Sequence, residues 1–392
     1  MQSDKPVPDF ALFNLGFRPF FMGAMAYSIV AVLIWMALYS LRISLPDTGI
    51  TAFQWHAHEM IYGYSFAVIA GFLLTAVKSW TGIQTVHGRG LALVFTIWLI
   101  ARVLFSLGWP GMAGLFDLAF SILLLFFAAV PVVKSRSWRQ MVILSKLGLL
   151  ILANLCFYLG YTGVLESGLH WGIYGGLYLV ISLILTIAAR VVPLFIENSV
   201  EYPVKLKNPR WIMISGLVVF LVFFISEVFL LNTVLTGITS VLLFVIYTIR
   251  LVGWHTYGIW KKPLLWGFFM ALVFIDIGFL LFAFSSFTGI SKYMAIHAFA
   301  YGGIGLVTVS MMVRVTLGHT GRNINRHGPI INYILGFLVI GAVVRVFLPL
   351  ALPDMYVAWV MTSQVLWIVA FLLVLFYCAP MLTGPRVDGN PG

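Results

Sequence analysis

Charge is what this chain has least of. Only 9% of its 392 residues are Asp, Glu, Lys or Arg, with 12 acids against 23 bases. A soluble domain carries about 25% charge, so there is too little here to coat a surface in water. That excludes a soluble enzyme, a disordered chain and a nucleic-acid partner, even though the formal net charge is +11. Cysteine is scarcer still. Cys156 and Cys378 are the two in the chain, each inside an apolar segment, and they cannot build a disulfide framework or a thiolate metal cage. No polar stretch is long enough to fold as a domain outside the apolar runs.

Apolar sequence is what remains: 62% of residues are hydrophobic and mean hydropathy is +1.05. A run of about 20 apolar residues crosses the hydrocarbon core as a helix. Twelve runs qualify, at 17–41, 56–78, 90–109, 112–133, 141–162, 169–193, 211–231, 233–254, 263–287, 291–317, 330–350 and 356–380. The expectation is an all-α polytopic membrane protein forming one integral domain over residues 1–392. The first span is too long for a cleavable signal peptide, and no small-residue cleavage site follows it.

Basic residues set the orientation. All but four of the 23 fall on the side of the amino terminus, from Lys5 and Arg18 through to Arg326 and Arg386. The exceptions are Arg42, Arg102, Lys292 and Arg345. The positive-inside rule then places both termini in the cytoplasm. So clean a division also supports the count of twelve, because a missed span would invert every later loop.

The histidines are the informative residues. Three of the eight open one short pattern, His-x-x-x-Tyr-Gly: His58 to Gly63, His170 to Gly175 and His297 to Gly302. The copies sit at the outer ends of spans 2, 6 and 10, four helices apart. The chain therefore reads as three four-helix units, at about 17–133, 141–254 and 263–380, related by a pseudo-threefold repeat. An Arg echo, Arg102 in span 3 and Arg345 in span 11, is incomplete because span 7 has none. Residues i and i+4 share a helix face, so each His lies beside its Tyr. The following Gly lets a helix or a flat cofactor approach closely.

Histidines and tyrosines at helix ends can simply anchor them at the interface. Three matched copies plus His56 favour a site, since ionisable residues within spans are functional candidates and imidazole suits copper, iron and zinc. His56, His58, His170 and His297 are thus the expected outer metal or haem ligands. His56 and His58 point about 160° apart on a regular helix, so they can serve different centres. His255 and His319 form a second candidate group at the cytoplasmic ends of spans 8 and 10. His297 and His319 are about 33 Å apart along a helix and cannot ligate one iron. Aromatic residues, 16% of the chain, offer a slot for one or two b-type haems. Arg102 and Arg345 are the expected propionate partners, with structural pairing to Asp117 or Glu227 as the rival. Glu59 can relay protons or neutralise an arginine. Tyr62, Tyr174 or Tyr301 can hydrogen-bond a bound ligand or supply a proton. His87 and His327 lie in polar loops and receive no role.

Several segments together resemble the signatures of the NnrS family. They are Phe13-Asn-Leu-Gly-Phe-Arg-Pro-Phe-Phe21, Trp55-His-Ala-His-Glu-Met60, Leu73-Leu-Thr-Ala-Val-Lys-Ser-Trp-Thr-Gly82, Ala189-Arg-Val-Val-Pro193 and Met312-Val-Arg-Val-Thr-Leu-Gly-His-Thr-Gly-Arg322. The resemblance covers nearly the whole chain. It implies a bacterial inner-membrane protein containing haem and copper, linked to denitrification and to tolerance of nitric oxide and nitrosative stress. The motif residues His56, His58 and His319 inherit the ligand role most directly. The repeat also resembles, in architecture, the haem-copper oxidases and their nitric oxide reductase relatives, whose ligands come from spans 2, 6, 7 and 10. Span 7 here has no histidine. The function expected is a haem protein that binds, and in the oxidoreductase reading reduces, nitric oxide with electrons from a quinol or cytochrome. A transporter of copper, haem or a small anion, and a haem-based sensor or assembly factor, are the alternatives.

Overall fold

A backbone without water around it must satisfy its own hydrogen bonds, which in a single apolar run leaves only the helix. The computed structural model describes residues 10–43, 48–325 and 328–390. Among these, twelve helices are long and apolar enough to cross a membrane. They are α1 (Phe17–Tyr39), α2 (Ala52–Thr81), α3 (Gly88–Ser106), α4 (Pro110–Lys134), α5 (Trp138–Tyr161), α6 (Gly168–Ser199), α7 (Arg210–Leu230), α8 (Thr233–Trp254), α9 (Pro263–Thr288), α10 (Tyr293–His319), α11 (Ile330–Ala351) and α12 (Pro353–Thr383). Each expected span has its counterpart. Lys5, Arg326 and His327 lie outside the described residues.

The ends follow local chemistry. Thr51 and Gln54 form a reciprocal capping box at the start of α2. Proline opens α4 and α9, where its missing N–H costs nothing. The hairpin between α7 and α8 turns through Leu231 at φ 50°, and the Asn232 side chain caps the Leu235 N–H. Pro193 does not end α6 as an expected boundary at residue 193 would have it; the helix continues to Ser199.

The outside of the bundle is apolar as well as its core. Leu115, Ile122, Val252 and Phe376 are among many exposed apolar side chains, whereas Arg18, His58, Glu59, Arg102 and Asp117 are buried. The most buried spans are α2 and α10. These two and α6, the helices that carry the repeated motif, meet one another pairwise in the middle of the bundle. Tyr64 of α2 and Thr308 of α10 share a hydrogen bond of 2.5 Å between their hydroxyls.

Two of the three motif helices are not regular. Residues Glu59–Ser65 of α2 and Ala298–Gly305 of α10 are π-helical, each segment starting directly after the motif histidine. The wider turn frees backbone groups that need other partners, and such segments gather at functional sites. In α2 the Ser65 hydroxyl takes up this task by donating to the Met60 carbonyl at 2.7 Å. The third copy, in α6, lies on an uninterrupted α-helix.

Candidate functional site

The motif tyrosines hold helices together. Tyr62 donates its hydroxyl to the Gly172 carbonyl of α6 at 2.6 Å, and Tyr301 donates to the Ser363 carbonyl of α12 at 2.8 Å. Each hydroxyl rests against a glycine, Gly176 of α6 for Tyr62 and Gly341 of α11 for Tyr301. Tyr174 behaves differently: its ring carries the Lys292 ammonium at 4.5 Å. The motif glycines also part ways. Gly63 makes room for the Arg102 and Glu59 side chains and the Tyr27 ring, Gly302 for the Phe274 ring, and Gly175 has only ordinary contacts.

His58 belongs to a charge network sealed inside α1 to α5. Arg102 lies between two carboxylates, 2.5 Å from Glu59 Oε1 and in closer contact with Asp117. His58 Nδ1 is 2.9 Å from Glu59 Oε1, and its Nε2 is 3.1 Å from Asn154 Oδ1 and 3.6 Å from Asp117 Oδ2. Tyr158 donates to Asp117 at 2.9 Å, and Tyr27 donates to Glu59. The His58 ring stacks on Phe105, with centroids 4.4 Å apart and planes 7° apart. Arg102 supplies one positive charge against two negative ones, so neutrality needs one further proton, placed on His58 or Glu59. Both ring nitrogens of His58 have oxygen partners within the network. In this structure Arg102 pairs with carboxylates, Asp117 among them, as the rival reading had it.

His56 faces a different way, as the two-residue spacing requires. It stacks on Trp35, with centroids 4.4 Å apart and planes 10° apart, and its Nδ1 is buried without a hydrogen-bond partner. It lines a cavity of about 90 Å³ together with His297, Arg345, Gln364, Tyr301 and Trp367. His297 Nδ1 is 2.7 Å from its own helix's Tyr293 carbonyl, so this nitrogen carries the proton and Nε2 keeps its lone pair. That lone pair accepts from Arg345 Nη2 at 3.1 Å. Arg345 is 7% exposed, its Nη1 has no partner, and the Tyr356 ring lies 5.7 Å from its guanidinium. Gln364 Nε2 is also buried and unpartnered.

This set fits iron or copper by its donors. Metal-bound imidazole characteristically gives its other N–H to a carbonyl or carboxylate, and His297 already does so. The volume fits a metal ion with a diatomic ligand. Cavities that take larger organic ligands run to about 300–1,000 Å³, so a porphyrin needs the aromatic walls to move outward.

The remaining candidates stand apart. His170 packs on Tyr174, with centroids 4.6 Å apart, near the Lys292–Glu227 pair (3.1 Å), and its Nε2 is buried without a partner. The four outer histidines therefore do not converge: among the described residues no group of three or more His, Cys, Asp or Glu side chains is placed to hold a metal ion. At the other end of α10, His319 packs on Phe17 with centroids 5.6 Å apart, and its carbonyl accepts from Arg386. Arg18, in the first motif segment, donates to the carbonyls of Met381, Leu382 and Gly384 and so caps the end of α12. His255 is exposed, and its Nε2 accepts from the Trp260 indole at 3.1 Å. His87 bonds the Thr85 carbonyl. Asn154 and Gln364 were not singled out from sequence, although an amide inside an apolar span is a visible signal.

A bundle of twelve membrane-length helices with two polar centres buried toward one end defines a polytopic membrane protein built around intramembrane histidines. The family model described as NnrS protein matches residues 11–386. The chain belongs to the NnrS family. No curated protein gives a significant match to it.

Proposed function

We propose that this protein binds nitric oxide at a metal centre held between α2 and α10 near the periplasmic face of a bacterial inner membrane, both termini being cytoplasmic. One observation carries the reading: two imidazoles, His56 and His297, share a cavity with the buried, incompletely satisfied Arg345. His56 and His297 would hold copper or, with the aromatic walls moved outward and Arg345 released from His297 Nε2, a b-type haem. Arg345 would then give its unpartnered Nη1 to a propionate. The bound metal supplies a coordination position for nitric oxide and one-electron chemistry.

The rest falls to the protein. Tyr293 fixes the His297 tautomer through its carbonyl. Trp35 holds the His56 ring flat. The His58–Glu59 pair stores one proton with two resting places 2.9 Å apart, and Tyr27 and Tyr158 complete its hydrogen bonds. Reduction of nitric oxide, as opposed to binding, would draw electrons from a quinol or cytochrome and protons from such a store. The grouping into three four-helix units and the likeness to the haem-copper oxidase core belong to the same proposal, supported by the central meeting of α2, α6 and α10.

The test is an absorption spectrum with pyridine haemochrome and metal analysis, run on the wild type, His56→Ala, His297→Ala and the control His170→Ala. Loss of the cofactor in the first two variants and retention in the control is the expected result. A wild type without haem or copper overturns the function, and full retention in both variants overturns the ligand assignment. Reduced protein given nitric oxide without oxygen separates the two modes: nitrous oxide marks a reductase, a spectral shift alone marks a carrier or sensor.

A further inference from the structure

A second recess, away from the histidines, has a chemistry of its own. Between α5, α6, α7 and α8, toward the face that carries the termini, lies a cavity of about 260 Å³. Past Val142 and Arg190 it continues into an open recess bordered by Arg139 and Gln140. Lys146, Arg190 and Arg250 line the cavity, and no acidic residue lines either part. Among the described residues none of these cations pairs with a carboxylate.

Two of the three are buried. Arg250 is 5% exposed, and its Nε has no hydrogen-bond partner. Lys146 is 9% exposed; its ammonium is held by the Ser182 carbonyl at 2.9 Å, the Ser182 hydroxyl at 2.8 Å and the Thr186 hydroxyl. Arg190 makes only long bonds, at 3.3 Å, to Gln140 and to the Arg139 carbonyl. Basic residues at a helix end are ordinary when they snorkel to water. Here Lys146 and Arg250 are turned inward between helices, Arg250 against the Tyr247 and Trp254 rings, where a charge without a counter-ion is costly, and Arg190 is exposed at the mouth. An anion is the missing partner.

The opposite wall says which anion. Met213, Ile214, Leu217 and Val218 of α7 border the same cavity, and each is about half exposed on the outside of the bundle. The cavity therefore opens sideways into hydrocarbon. A ligand that meets both walls has a phosphate-type anion joined to long apolar chains. Basic pockets between membrane helices hold anionic headgroups in this way. We infer that the recess between α5 and α8 is a binding site for one anionic phospholipid, its phosphate facing Lys146, Arg190 and Arg250 and its acyl chains lying along α7.

The experiment is native mass spectrometry on the full chain, stripped of lipid in detergent and titrated separately with dioleoylphosphatidylglycerol, dioleoylphosphatidylcholine and inorganic phosphate. One phosphatidylglycerol per chain is expected to bind well ahead of phosphatidylcholine. The Lys146→Gln/Arg190→Gln/Arg250→Gln variant should lose affinity on the order of 100-fold, and Arg250→Gln alone about fivefold. Lys261→Gln/Lys262→Gln, at the same end of the bundle but outside the recess, should bind as the wild type does. Equal binding of the two lipids by the wild type overturns the inference, whether or not the triple variant folds. So does wild-type binding by Arg250→Gln, and so does displacement of the lipid by inorganic phosphate at equal concentration, which points to a soluble anion.

Discussion

Arg102→Met removes the one cation that lies between Glu59 and Asp117. Both carboxylates are fully buried, so in the variant they face each other with only His58 to offset them. Removing one partner of a buried ion pair costs about 3–5 kcal/mol, because the charge left behind is unpaired. Arg102 contacts two carboxylates, which places this variant at the upper end of that range. The control is Glu59→Gln/Arg102→Met/Asp117→Asn, which takes the three charges away together. Replacing a whole buried ionic group by neutral side chains of similar volume is often neutral, or stabilising by about 1–4 kcal/mol. The triple variant is therefore expected to recover most of the loss. Reversible unfolding in mixed micelles, followed by tryptophan fluorescence as dodecyl sulfate is added, measures the order directly. The wild type and the triple variant should unfold close together, and the single variant well before both. The reasoning fails if Arg102→Met unfolds with the wild type, or if the triple variant is no better than the single one.

Tyr62→Phe and Tyr301→Phe each delete one hydrogen bond between helices, worth about 0.6 kcal/mol and at most about 1.7 in membrane bundles; the same titration should show small losses with cofactor content unchanged. Gly341→Ala puts a methyl group against the Tyr301 hydroxyl and 2.7 Å from its ring Cζ, so it should destabilise by more than Tyr301→Phe does, and the double variant should regain only part of the loss. At the end of the chain, Arg386 and the Asn390 amide hold the Asp388 carboxyl well below the usual carboxylate range. The folded value is the lower one, so this contact is present at neutral pH and fades as the pH falls through the acid range. Limited proteolysis should then cut the segment after residue 383 faster in acid than at neutral pH, and Asp388→Asn should cut fast at both.

The twelve spans were legible to within a few residues except at the end of α6, where the helix runs past Pro193 to Ser199, because length and hydropathy are local properties and a bilayer rewards both. The division of His56 from His58 was legible too, since it depends only on the angle per residue. What each meets was not. Arg102 and Asp117 come from spans that pack as neighbours, and the choice between an acid and a propionate for Arg102 rests on a contact no periodicity records. The π-helical turns after His58 and His297 were also hidden. They depend on groups such as the Ser65 hydroxyl finding a carbonyl that a regular helix would have used itself. Equivalence among the three motif copies failed for the same reason: Tyr62 and Tyr301 meet backbone carbonyls, whereas Tyr174 meets a lysine.

The two centres are bound to each other through α2. His56 and His58 leave that helix on opposite sides, one toward the cavity with His297 and the other into the charge network with Arg102. A helix cannot turn to move one without moving the other. The network fixes its side strongly, because every contact of His58 and Glu59 is buried, and a slip of about 1.5 Å along the axis, one residue's rise, would separate Arg102 from Glu59. The His56 ring is thereby held at a set depth and angle before any ligand arrives. A metal-binding imidazole needs its orientation supplied by the groups around it. In the proposed centre that group would be, for His297, a carbonyl one turn back on its own helix and, for His56, the stacked Trp35 on one side and, through the backbone, the ion network on the other. The charges buried at such cost in α2 to α4 thus also fix the depth and angle of the helix that carries His56, a residue they never touch.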